Sequence, residues 1–141
     1  MVIVLPDGHP LVTGSPEGTP LRLAQLRDES WVTILAGHAA REQLDRAAGG
    51  AGFTPRIRFQ TASYDLAQAL VGTGYGVALV SRLALTRVPG TTHRPLTDPP
   101  LHRDLHAVTR SDTALTPLAD VFCALLLDVA AELKDAWPSQ G

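Results

Sequence analysis

The sequence predicts an α/β fold of three layers built on a mostly parallel sheet. Two observations predict it. The stretch Arg56 to Leu85 reads as strand, helix, glycine-rich turn, strand and the start of another helix. Around it, apolar runs of strand length alternate with segments of helical period. Such alternation suits parallel strands joined by right-handed crossovers.

The central stretch comes first. Ile57 and Phe59 alternate with polar residues, as in a strand with one covered face. Leu66, Ala67, Leu70 and Val71 then fall on one helix face. Gly72, Thr73 and Gly74 supply a helix stop. Tyr75 to Val80 is nearly continuous in apolar residues, which predicts a strand covered on both faces.

The chain before it supplies further strands and a helix. Met1 to Leu5 is apolar throughout, so a central strand is expected, ended by a turn at Pro6-Asp7-Gly8. His9 to Pro20 reads as a connector, and Leu21 to Leu26 as a short helical turn. Trp31 to Leu35 is the second strand. Ala39 to Ala48 is a helix, with Arg41, Glu42, Asp45 and Arg46 toward water and Gly49-Gly50 as its end.

After the central stretch, Leu83 to Val88 predicts a short helix and His93 to Leu96 a short strand. Arg103 to Arg110 alternates enough to predict a strand. Thr116 and Pro117 open the last helix as N-cap and first residue. Leu118, Val121, Phe122, Leu125, Leu126, Val129 and Leu133 make its apolar stripe, and Pro138 closes the chain.

Composition narrows the function classes. The 141 residues carry 45% apolar and 18% charged residues, an ordinary globular balance. The net charge of −2 comes without a basic block, which argues against nucleic-acid or anionic-membrane binding through these residues. A single cysteine, Cys123, excludes an intrachain disulfide framework and a cysteine metal cluster. It fits a reducing, cytoplasmic setting. No apolar run reaches the roughly 18 residues of a membrane span, and no signal-peptide pattern is visible.

No catalytic constellation emerges. The five histidines form no HxH or HExxH cluster of metal ligands, and the HxxxH pair His102 and His106 lies in a strand-like run beside prolines. The glycines Gly72, Gly74 and Gly76 follow a helix and precede a strand, the reverse of a dinucleotide-binding order. Ser63 lacks the flanking glycines of a nucleophile elbow and reads as a helix N-cap. Cys123 lies in an apolar helical context. No cofactor, metal ligand or catalytic residue is expected.

Two strand-to-helix junctions are better placed for binding. They are Leu35 to Ala39 and Gln60 to Ser63. Each puts small or hydroxyl residues where a helix N-terminus exposes unpaired N–H groups. Such ends favour small anions and polar ligands.

Several segments, in this order, resemble the effector-binding domain of LysR-type transcriptional regulators. They are LPDGHPL (5–11), QLRDESW (25–31), Ile34 to Arg41, and Ala51-Gly52-Phe53-Thr54-Pro55. The most specific is LVGTGYGVALV (70–80), similar to the family's "lVaaGlGvallP" pattern; RDLHAVTR (103–110) follows. The resemblance implies a fold similar to periplasmic solute-binding proteins. Residues 28–100 would form its second subdomain. Residues 1–27 would be a strand and connector of an incomplete first subdomain, and 101–141 its return strand and last helix.

The resemblance also implies a function. A small organic acid or other small metabolite would bind beside Thr33, Gly37, His38, Gln60 and Thr61. Ala62 and Ser63 would offer backbone N–H groups, and an anion would be held without a buried cation. DNA would be reached only through a region outside these residues, and no membrane is involved. A homo-oligomer is expected, paired through the terminal strand and last helix, because both would leave apolar surface uncovered. The alternatives are a ligand-free dimerisation remnant and, third, a small α/β enzyme.

Overall fold

The computed structural model describes residues 1–109 and 116–136. Its compact units are residues Met1–Arg103 and Asp104–Gly141.

The first unit holds six strands. β1 (Val2–Pro6) lies inside a four-stranded sheet, between β5 (Ala78–Val80) and β6 (Thr91–Asp98), with β2 (Leu21–Arg22) beyond β6. β3 (Ser30–Ile34) pairs with β4 (Arg56–Thr61). The two sheets join where Val77 bonds both ways across to β3: Val77 N donates to Ser30 O and Val32 N to Val77 O, each at 2.9 Å.

The α/β architecture is as expected, with one difference in strand sense. β3 with β4, β2 with β6, and Trp31 with Val77 are parallel. β1 is antiparallel to both of its neighbours. Continuous hydrophobicity foretold that β1 would be central, but burial on two faces says nothing of direction.

Helices cover both faces, which gives the three layers. On one face Leu44, Ala47 and Ala48 of α2 (Ala39–Gly50) pack with Ile3, Leu5, Trp31 and Leu79. On the other, Ala67 and Val71 of α3 (Tyr64–Gly72) pack with Val4, Val32, Ala78 and Val80. β1 therefore serves both cores: Ile3 and Leu5 look one way, Val2 and Val4 the other, and all four are buried. Burying four such side chains is worth on the order of 6–12 kcal/mol gross.

The terminal strand is thus not an uncovered patch, contrary to expectation. Residues 1–27 and 28–100 lie together in the unit Met1–Arg103.

Other elements shift in detail. The connector contains a four-residue helix, α1 (Pro10–Thr13), with His9 Nδ1 accepting from Leu11 N at 3.2 Å. Leu21 to Leu26 splits into β2 and a 3-10 turn. α2 runs through Gly49-Gly50, and the left-handed residue that turns the chain is Gly52. Only Ala78–Val80 of the Tyr75 run forms a strand, and Tyr75 is exposed. Gly76 explains the break. A Cβ there would stand 2.2 Å from Ser30 O, so only glycine lets the chain reach β3.

Leu83 to Val88 contains a single 3-10 turn at Arg82–Ala84 rather than a helix. β6 is eight residues long, twice the expected strand. Residues 103–109 form no strand. A strand needs a partner as well as a pattern, and these residues pair with none. Arg110 and Pro138 lie outside the described residues.

The second unit contains α4 (Pro117–Ala136), opened as expected by Thr116, whose Oγ1 accepts from Ala119 N at 3.3 Å. Its apolar residues Leu118, Val121, Phe122, Leu125 and Leu126 are exposed.

Candidate functional site

The parallel register of β3 and β4 brings the expected residues to one edge. Thr33 stands opposite Gln60, and Ile34 opposite Thr61. Leu35 N then donates to Thr61 O at 3.1 Å, which closes the carboxyl end of the pair. Both strands hand over at this edge to helices, α2 after β3 and α3 after β4. Two helix N-termini therefore open beside the ends of two parallel strands, where ligands of open α/β sheets collect.

The two N-termini differ. At α3, Ser63 Oγ accepts from Leu66 N at 3.3 Å, and Thr61 Oγ1 accepts from Ser63 N at 3.1 Å. Ser63 is the N-cap that the sequence predicts. Its own N–H is engaged, so it is not the free donor expected there. The donors left in the first turn are the amides of Tyr64 and Asp65.

At α2, the N-cap position is His38, whose side chain makes no capping bond. Gly37 takes the positive φ that turns the chain into the helix. The amides of Ala39 and Ala40 thus start the helix with no side-chain partner. Gly37, His38 and Ala39 are exposed, as are Gln60, Ala62 and Ser63, whereas Thr33 and Thr61 are buried.

One residue was misread from the sequence. Arg41, expected toward water, folds back over the edge. Its Nη1 donates to Thr33 Oγ1 at 3.3 Å, and its Nε donates to both carboxylate oxygens of Asp45, at 3.0 and 2.9 Å. The Arg41 side chain is only 16% exposed. A largely covered guanidinium therefore stands at the start of α2, where no cation was expected. The available signal was positional. An arginine in the third helical residue can reach back over the N-terminus, and an aspartate at i+4 steadies it.

Arg41 also closes the space beneath it. The hollow among Thr33, Ile34, Ala40, Arg41, Leu44 and Leu79 has no room for a water molecule. A ligand at this edge would lie on the strand ends and helix N-termini, not beneath them. The groups facing it are a guanidinium, free amides, hydroxyls and the Gln60 amide. Together they can hold an oxyanion by charge-assisted hydrogen bonds. They contain no nucleophile paired with a base.

The family described as LysR substrate binding domain matches residues 1–131. The chain belongs to this family. Among curated relatives, the transcriptional dual regulator GltC of Bacillus subtilis (strain 168) is 26% identical over 133 residues, which cover 93% of this chain and 43% of GltC. The HTH-type transcriptional regulator ShiR of Corynebacterium glutamicum (strain R) is 33% identical over 97 residues, 67% of this chain and 32% of ShiR. This LysR substrate-binding domain spans less than half the length of either relative. The solved C-terminal domain of a probable LysR family regulator from Rhodococcus sp. RHA1 matches with a TM-score of 0.68 at 26% identity, over 89% of this chain and 62% of that one.

Proposed function

We propose that this LysR substrate-binding domain senses a small organic acid at the β3–β4 edge and reports it within a transcriptional regulator, without catalysis. The observation that carries this is the juxtaposition of Thr33, Arg41 and Gln60 with the uncapped start of α2. An effector carboxylate would accept from the Ala39 and Ala40 amides and from Arg41. Gln60, Thr61 and the first turn of α3 would read the rest of the molecule. DNA contact would come from a region outside these 141 residues, and the setting would be cytoplasmic.

Structural neighbours support a small organic acid as the effector. The CcmR regulatory domain of Synechocystis PCC6803, solved with 2-PG, has a TM-score of 0.71 at 18% identity, over 91% of this chain and 61% of that one. The effector-binding domain of QuiR, solved with shikimate, has a TM-score of 0.62 at 16% identity, over 93% of this chain and 61% of that one. That GltC and ShiR are regulators supports sensing over catalysis.

A thermal-shift screen against small carboxylates, shikimate and benzoate included, tests the proposal. Stabilisation by at least one acid, weakened in Thr33→Val through the loosened Arg41, is expected. A folded chain that no acid stabilises contradicts it. The exposed apolar residues of α4 favour a second reading, a pairing module that binds no effector. Pairing would then run through α4 alone, because β1 is enclosed. Light scattering on Leu125→Glu distinguishes the two, since only the pairing module needs this face to keep its oligomeric state.

A further inference from the structure

We propose that this chain carries a second small-molecule site, apart from the β3–β4 edge, which takes a small apolar α-amino acid as its zwitterion. The carboxyl half of α2 and the segment from Asp98 onward flank a cleft of about 680 Å³, open to solvent on one side. Small-molecule pockets commonly span about 300–1,000 Å³. The room comes from small side chains, because the helix side is lined by Ala47, Gly50 and Ala51. A Cβ built on Gly50 meets nothing within 4 Å.

The facing wall is Asp98 to His102. It is tied down: Gln43 Nε2 donates to the His102 carbonyl at 2.6 Å, and Leu101 packs on the core.

Two opposite charges line this cleft, Arg46 from α2 and Asp98 from the facing wall. Among the described residues neither makes a salt bridge, with the other or elsewhere. A simple anion would satisfy Arg46 and be repelled by Asp98. A zwitterion answers both, carboxylate to Arg46 and ammonium to Asp98. Its apolar side chain would cover Ala47, Ala51 and Leu101. This arrangement favours an apolar amino acid over the organic acids proposed for the first site.

Calorimetric titration of the whole chain with L-leucine and L-phenylalanine tests this, with N-acetyl-leucine and leucinamide as forms lacking one charge. Saturable binding of at least one amino acid is expected, with each blocked form at least about tenfold weaker. Gly50→Phe fills the cleft and should abolish binding at unchanged melting temperature. Arg46→Gln, an exposed position, should weaken binding about tenfold and covers the case in which Gly50→Phe fails to fold. Thr33→Val should leave the affinity unaltered, which separates this site from the first. No saturation by about 10 mM of either amino acid would overturn the proposal. So would binding that survives both substitutions, or N-acetyl-leucine binding as tightly as leucine.

Discussion

The two junctions at the β3–β4 edge share an order of elements and treat their helix N-termini in opposite ways. After β4, Thr61 and Ser63 satisfy backbone donors with their own hydroxyls. After β3, Gly37 and His38 leave the first amides of α2 without side-chain partners, and Arg41 adds a charge beside them. The difference teaches that good capping residues mark an end the chain has already closed. The poorly capped end keeps its field and its donors for something else.

Removing the charge should break the contrast most strongly. Arg41→Ala should lower the affinity for a carboxylate effector by about tenfold or more, since a charge-assisted bond is lost. Calorimetry reads this, and wild-type affinity would take α2 out of the site. At the other junction, Ser63→Ala should cost about 1 kcal/mol of stability and leave affinity unchanged. Urea denaturation beside the same titration checks both halves.

Making the junctions alike is the sharper experiment. His38→Asp supplies the missing cap, and its carboxylate would occupy the amides that the effector needs. Stability should rise by about 0.5–1 kcal/mol while affinity falls. A rise in both would show that the effector does not use those amides. Asp45→Asn loosens the hold on Arg41. The pair is half exposed on the aspartate side, so only a few tenths of a kcal/mol of stability should go.

Much of this was legible in the sequence because it is local. The periods that make α2, α3 and α4, the strands β3 and β4, and the Ser63 and Thr116 caps all depend on neighbours a few residues away. What failed depends on partners far along the chain. The direction of β1 is set by β5 and β6, which begin more than 70 residues later. Residues 103–109 have a strand's pattern and pair with no strand. Within the site, the Thr33–Gln60 register follows from two recognisable strands. Arg41 does not, because its side chain is long enough to reach either water or Thr33. Gly76 shows the converse case. The run Tyr75 to Val80 reads as one strand, and the contact with Ser30 that requires glycine at position 76 appears only once β3 lies beside it.

An amide NMR titration of the isotope-labelled chain with benzoate and shikimate tests the β3–β4 edge most directly. Binding of either acid should move the Ala39, Ala40 and Gln60 signals most, and Arg41→Ala should suppress those shifts. A well-dispersed spectrum that neither acid perturbs at these residues, or whose changes fall only elsewhere, would contradict an effector site at this edge.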